Sequence, residues 1–211
     1  MKFKKKGKYH YFSVSCQLDL FDKVVKPIVL YGSEVWGFRN SYGRKSSLEI
    51  CKLLLNLKTF TTNCLVYGEL ERFPLSVDIK QRMISYWTSL ISGKQTKLCS
   101  ITNKLMFHLF STQNVNFQWL TYVKGIFDEC GLTYIWNSQN FINERWIKEK
   151  IKQCLCDQFQ QNWNDDLQTC TKTINYRIFK DTFGFEDYFN ILGTDHLTSR
   201  GELCFFSKKI F

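Results

Sequence analysis

A serine lies beside a carboxylate in the segment PIVLYGSEVWGF, residues 27–38. Ser33 and Glu34 are the residue types of a nucleophile and its base, so hydrolysis is the first chemistry to consider. The hydrolase turn has the pattern G-x-S-x-G, whereas Glu-Val-Trp follows this serine. The histidines that could serve as a base are His10, His108 and His196. Because the turn pattern is missing and no base is positioned by a recognisable motif, the triplet does not predict a hydrolytic site.

Two other groups of residues have types that bind metal ions. Asp165-Asp166 is the one pair of adjacent aspartates, and paired carboxylates hold the two metals of polymerases. This pair lies at the end of a helical pattern without a third carboxylate, which favours a solvated helix end. Cys154-x-Cys156 with Cys170 matches no common zinc spacing. Phosphate-binding glycine motifs are also missing, so we predict no catalytic residue, no metal and no cofactor.

The elements that would position any site are helices, because apolar residues recur three or four positions apart almost throughout. One such stripe begins at Gln17 and contains Pro27, which should kink or restart the helix. We expect Trp36, further along this stripe, to pack inward. We therefore predict an all-α chain, a multi-helix assembly with a kinked N-terminal helix and one long helix near 141–167.

Capping residues and glycines predict the remaining helices. Thr61-Thr62-Asn63 can cap a helix through their hydroxyl and amide oxygens. The polar segment 40–47, NSYGRKSS, predicts a connection between helices. Cysteines at apolar helix positions are expected to pack as small hydrophobes: Cys51, Cys64 and Cys154. The further predicted helices are 48–57, 63–70, 79–92, 98–110 and 117–130, with two short closing helices at 176–179 and 185–192.

Positive charge is concentrated in the first 60 residues. They hold twelve Lys and Arg against four Asp and Glu, a net +8, whereas the other 151 residues hold 17 against 15. This distribution predicts a polyanionic partner, RNA or DNA. Lys23 and Lys26 precede Tyr31 and Trp36, a mixture that suits phosphate neutralisation and base stacking. The candidate nucleic-acid-binding residues are Lys4, Lys5, Lys6, Lys23, Lys26, Arg39, Arg44, Lys45, Lys52 and Lys58.

Simpler interpretations of the same residues stay open. The basic run Lys2–Lys8 also fits a solvated tail, and the two aromatic residues also fit a core. Nine scattered cysteines without a CxxC pair predict a reducing compartment, nucleus or cytoplasm. No segment approaches the ~18 consecutive apolar residues of a membrane span, so we expect no membrane partner. We expect no small-molecule substrate, and self-association through exposed apolar helix faces is a further expectation.

Residues 17–38, QLDLFDKVVKPIVLYGSEVWGF, closely resemble the segment that follows the polymerase domain in LINE-type, non-LTR retrotransposon reverse transcriptases of invertebrates. The resemblance continues through 51–87, 127–146 and 175–192. It implies a helical, thumb-like region that helps to hold the template-primer duplex. The catalytic aspartates of that family lie in a palm domain further upstream, and no F/Y-x-D-D motif occurs here.

We divide the chain into four regions: a basic flexible leader at 1–16, a thumb-like region at 17–95, a helical linker region at 96–192 and a divergent tail at 193–211. Charge and composition indicate the leader and the boundary near 96, whereas the resemblance implies the thumb-like region and the divergence of the tail. The resemblance also has departures. Thr62 stands where the family pattern suggests proline, the connection 40–47 looks altered, and the sequence after Leu192 does not match.

Two functional hypotheses follow. The favoured one is a non-catalytic fragment of a reverse transcriptase-like protein that binds RNA or DNA through a basic helical surface, and so not an enzyme. The alternative is a helical protein-interaction or structural remnant without a nucleic-acid role. Its basis is the near-neutral region after residue 96 and the aromatic-rich helix around Trp146, Phe159 and Trp163.

Overall fold

The computed structural model describes residues 14–39, 41–55, 57–93, 97–141, 143–178, 180 and 182–185. Within these ranges the chain is helical and contains no strand, which confirms the all-α prediction. No helix in the described part is both long enough and apolar enough to cross a membrane. The α-helices are α1 (Val14–Leu20), α2 (Lys26–Val29), α3 (Ser33–Trp36), α4 (Ser41–Leu54), α5 (Asn63–Leu70), α6 (Leu75–Ser92), α7 (Leu98–Thr112), α8 (Gln118–Glu129), α9 (Thr133–Ser138) and α10 (Glu144–Thr169). A π-helical turn, Phe21–Val25, and 3-10 turns at Gly37–Arg39, Thr171–Thr173 and Tyr176–Ile178 complete the secondary structure.

The kink predicted in the first helix is confirmed, and it takes the form of a wider turn. In the π-turn the N–H of Lys26 donates to the carbonyl of Phe21, five residues back. This turn ends two residues before Pro27, whose ring would crowd the carbonyl four residues back in a regular α-helix. Gly32, with φ of +66°, then separates α2 from α3. The bend therefore has two causes, a proline and a left-handed glycine.

The inward packing predicted for Trp36 is wrong. Its side chain is 54% exposed, and its indole folds back over Gly32. A Cβ on that glycine would collide with the indole of Trp36, so the close approach of the ring requires glycine at this position. Ser33 is the buried residue of this turn. A left-handed residue redirects the chain, so the apolar stripe does not continue past it.

Other boundaries also differ from the predictions. The polar segment 40–47 is not a connection, because α4 already begins at Ser41. Polar residues occur both in loops and on the solvated face of a helix, so the polar composition of this segment did not distinguish the two. Thr62 is the N-cap residue of α5, but no hydrogen bond from its side chain caps that helix among the described residues. Helix α9 was not predicted, and most of the helix predicted at 185–192 lies outside the described residues.

The chain divides into two compact units, each assembled from segments distant in sequence. Unit 1 contains the described residues of Met1–Val29, Ser47–Arg72 and Asn162–Phe211, and unit 2 those of Leu30–Ser46 and Phe73–Gln161. The boundary predicted between 95 and 96 falls within the span of unit 2. The four sequence regions stay predictions.

Unit 1 has a core built from α1, α4 and α5. The buried cluster comprises Leu18, Cys51, Leu55, Val66 and Leu70, with Leu48, Leu57 and Phe185 packed against it. Trp163 of α10 covers α5, and its indole N–H donates to the carbonyl of Cys64 at 2.7 Å. The ring lies so close to Gly68 that a Cβ there would be 2.7 Å from Cζ2.

Unit 2 is organised around Trp87, which is fully buried on α6. Its ring lies 4.8 Å from that of Phe127 and 6.1 Å from that of Trp136, measured between centroids. From α10, Ile147 and Ile151 are also buried, as their four-residue spacing predicted. The long helix begins at Glu144 and ends at Thr169, close to the predicted 141–167.

Candidate nucleic-acid interface

The ten candidate basic residues fall into three groups. Lys4, Lys5 and Lys6 lie outside the described residues. Arg39 ends a 3-10 turn, and Arg44 and Lys45 lie on α4, but only their backbone is described. The side chains that the structure does place are those of Lys23, Lys26, Lys52 and Lys58, and all four belong to unit 1.

Lys23 and Lys26 lie at the π-turn and the start of α2. The ammonium of Lys23 is 3.3 Å from a carboxylate oxygen of Asp19, and both side chains are largely exposed. An exposed pair one helical turn apart is weak and screened by salt, so a phosphate can replace the carboxylate at little cost. Lys26 is half-buried. Of the two, Lys23 is better placed to meet a polyanion.

Lys52 is directed inward and has to be removed from the candidate surface. Only 7% of the residue is exposed, and its ammonium donates to the carbonyl of Thr59 at 2.8 Å. Burial lowers the pKa of Lys52 below its ordinary value, an effect that Glu49 partly opposes. The sequence could not show this, because a lysine in an amphipathic helix is normally placed on the solvated side.

The loop that Lys52 ties down presents a basic side chain beside an aromatic ring. Within residues 57–62, the N–H of Thr61 donates to the carbonyl of Lys58 at 3.0 Å, which closes a turn. The ammonium of Lys58 lies 5.3 Å from the ring centroid of Phe60, and Phe60 is 66% exposed. A cation and an exposed ring at this distance can contact a phosphate and stack on a base.

Sequence reasoning named Lys58 but missed Phe60. The signal was present in Lys-Thr-Phe, because a turn brings a residue and its second neighbour to the same side of a loop. The aromatic residues that the sequence emphasised, Tyr31 and Trp36, are both exposed, so they are not core. They belong to unit 2, whereas the lysines with which they were paired belong to unit 1.

The residues that the sequence offered as candidates for catalysis or metal binding do not form a catalytic or metal site among the described residues. Ser33 is 1% exposed, and its hydroxyl has no hydrogen-bond partner among the described residues. A substrate therefore cannot reach it. Asp165 and Asp166 are exposed near the end of α10, which confirms the solvated helix end. Within the described ranges, no three His, Cys, Asp or Glu side chains are grouped as ligands of a metal ion would be.

Comparisons with protein families, with curated proteins and with solved structures found no match for this chain. The resemblance to LINE-type reverse transcriptases therefore rests on the quoted segments alone and stays a prediction.

Proposed function

We propose that this chain is a non-catalytic fragment of a LINE-type reverse transcriptase-like protein, and that it binds RNA or DNA through basic side chains of unit 1. Three observations support the proposal: the resemblance over residues 17–192, the net +8 of the first 60 residues, and the exposed pair of Lys58 and Phe60. The pair carries most weight, because it is the one place among the described residues where a candidate cation lies against an exposed ring.

Binding divides between charge and stacking. The ammonium of Lys58 neutralises a phosphate, while Phe60 offers its face to a base; stacking tolerates any sequence because every base has a π-face. Lys23 exchanges Asp19 for a second phosphate. Because counterions leave as phosphates are neutralised, the affinity of such a surface falls steeply as salt is added.

The first test is fluorescence anisotropy of a labelled RNA hairpin titrated with the full chain at ~50 and ~200 mM salt. We expect saturable binding that weakens by orders of magnitude between the two conditions. The absence of binding at low salt, with a folded and monodisperse sample, would refute the proposal.

Variants of the loop locate the surface. Lys58→Gln should lower the slope of log affinity against log salt by about one unit, because one phosphate contact is lost. Phe60→Ala should weaken binding about tenfold at every salt concentration and leave the slope unchanged. Lys150→Gln, which removes one exposed charge from α10 within unit 2, serves as the control. Equal effects of the two lysine variants would argue against this loop.

A second candidate function, protein interaction, is favoured by α7. This helix buries Ser100 and Asn103 and exposes Leu98 (77%), Ile101 and Leu105. These apolar residues are spaced i, i+3 and i+7, so they share one face, which is the pattern of helix-to-helix docking. The aromatic residues that first motivated this alternative support it less than α7 does, because one of them, Trp163, is buried in unit 1 and cannot contact a partner.

Light scattering tests this alternative. A discrete oligomer of the wild-type chain that is lost in the double variant Leu98→Gln, Leu105→Gln would favour interaction through α7. Thr102→Gln with Ser111→Gln is the matched control, because both residues are exposed on the same helix and polar already. A wild-type chain that stays monomeric over the whole concentration range would count against the alternative.

A further inference from the structure

A cleft of about 500 Å³ opens on unit 2 beside α8. Two of its walls are the rings of Phe38 and Tyr122, whose centroids are 6.3 Å apart at an interplanar angle of 41°. Gly125 and the buried Ile126 line its apolar part. The polar lining residues are Asn116, Gln118, Thr121 and Glu129.

Gly125 is the feature of this cleft that packing does not explain. Glycine disfavours the interior of a helix, so its presence in the middle of α8 calls for a reason. At Gly68 and Gly37 the reason is close packing, since a Cβ would collide with Trp163 and Ile79 respectively. At Gly125 an added Cβ would meet no described atom within 4 Å. The missing side chain leaves room in the cleft that the protein itself does not fill.

The lining selects an uncharged ligand. Glu129 forms an ion pair with Lys80, and the ammonium of Lys124 lies 3.1 Å from a carboxylate oxygen of Asp128. Both cations at this end of α8 are thus matched by carboxylates, so the cleft offers little excess charge to an ionic group.

The remaining polar groups are amides and hydroxyls. The hydroxyl of Thr121 donates to Oδ1 of Asn116 at 2.9 Å, and Asn116 and Gln118 are both exposed at the rim. Amides can donate and accept, so they match the edge of a heterocycle that carries both kinds of group. Aromatic walls favour a flat ring against them. A nucleobase is a neutral planar heterocycle with donors and acceptors on its edge, so it fits this lining.

We propose that this cleft binds a single nucleobase, stacked against Phe38 and Tyr122 with its edge toward the amides of the rim. The base has two sources, a free nucleoside or an unpaired nucleotide within a strand. The strand source rests on the proposed function, whereas the free nucleoside does not.

The test uses 2-aminopurine, whose fluorescence is quenched when it stacks. One probe is the free 2-aminopurine riboside, and the other is an oligouridine strand with a single central 2-aminopurine. We expect saturable quenching by the full wild-type chain. In Gly125→Leu the side chain fills the cleft, and binding should weaken at least tenfold while the thermal midpoint stays equal or rises, because leucine is a better helix former than glycine.

Two further variants complete the comparison. Gln153→Leu adds the same apolar side chain to an exposed position of α10 and should leave the quenching unchanged. Phe38→Ala should weaken it about tenfold through the lost stacking. Quenching of the strand that is lost in Phe60→Ala but retained in Gly125→Leu would place the base on the loop of unit 1 and overturn the cleft proposal.

The outcomes separate this inference from the proposed function. Strand binding by anisotropy without a cleft-dependent quench would leave the proposed function standing and overturn the nucleobase cleft. Quenching of the free riboside without any strand binding would support the cleft and refute the nucleic-acid function. Quenching that Gly125→Leu does not change, or none with either probe, would overturn the inference.

Discussion

The buried ammonium group of Lys52 holds the loop at 57–62, which carries Lys58 and Phe60. Taking a charged group out of water is costly unless it is hydrogen-bonded, and the carbonyl of Thr59 provides that bond. The bond holds the loop between Lys58 and Phe60, the two side chains proposed to meet nucleic acid. Lys52 thus stabilises the loop, whereas Lys58 is proposed to contact the ligand.

Lys52→Met separates these two roles. Methionine keeps the apolar stem but leaves the Thr59 carbonyl without its donor, so the turn closed by the amide of Thr61 should open more often. We expect that amide to exchange hydrogen faster in Lys52→Met and at the wild-type rate in Lys58→Met. In anisotropy, Lys58→Met should lose about one unit of salt slope. Unchanged exchange at Thr61 in the first variant would contradict the positioning role.

The thiols differ widely in their expected reactivity. Burial raises the pKa of Cys64 to about 11. Burial, together with the hydrogen bond that the Cys130 thiol donates to Cys154, raises the pKa of Cys130 to about 12. Cys16 and Cys99 are exposed. Alkylation needs an accessible thiolate, so iodoacetamide at about pH 8 should modify Cys16 and Cys99 first.

Raising the pH extends this prediction. Cys64 and Cys130 should become reactive in the folded chain only as the pH approaches their raised pKa values. A thiol with a raised folded-state pKa stabilises the fold fully below its unfolded pKa, near 8.5, and that contribution is lost as the pH rises through the folded value. Mass spectrometry after timed labelling measures the order. Early modification of Cys64 at neutral pH would contradict its burial.

At the scale of elements, two glycines inside helices have opposite reasons to be there. Gly68 lets the indole of Trp163 approach α5, and the indole N–H then reaches the carbonyl of Cys64. Gly125 faces open space in the cleft of unit 2. The same substitution at the two positions should therefore change the free energy of unfolding in opposite directions.

Gly68→Ala should lower the free energy of unfolding by about 1–3 kcal/mol, because the added methyl displaces a packed ring and strains its hydrogen bond. Gly125→Ala should raise it by about 0.5–1 kcal/mol through helix propensity alone. Urea unfolding with an unchanged m-value measures both. Destabilisation by Gly125→Ala would show that some group packs there after all.

The elements that could be predicted from the sequence are those whose side chains repeat. α6 and α10 bury most of the residues that their three- and four-residue spacing selected, because burial of one face is what such spacing encodes, although Ile91 and Phe159 are only half-buried. The position of Trp36 could not be predicted, since it depends on the left-handed backbone of Gly32. Nor could the inward turn of Lys52 or its support of Phe60, because both depend on a loop that only tertiary contacts define.

At the scale of the whole molecule, charge is the property that bears on function. The chain carries +10, of which +8 lies in the first 60 residues. Net charge alone attracts polyanions without a defined surface. A localised surface, by contrast, makes the position of a charge matter as well as its sign.

Two triple variants of equal charge distinguish these cases. Lys23→Gln, Lys26→Gln and Lys58→Gln together should remove up to about three units of salt slope, one for each phosphate contact. The control set, Lys104→Gln, Lys150→Gln and Lys152→Gln, removes three exposed charges from unit 2, within the near-neutral region, and should change the slope little. Anisotropy with the same RNA hairpin measures both. Equal losses would mean that net charge, and not a surface, governs binding.

The π-turn ahead of Pro27 ties the number of residues in this segment to the identity of one of them. Deleting one residue from Phe21–Val25 would restore a regular helical turn and press the proline ring against the carbonyl four residues before it. Because such a clash costs about 3 kcal/mol, we expect the deletion to be tolerated only when the proline is replaced as well. The length of this segment and the presence of the proline are therefore coupled, because the shorter helix has no room for the ring.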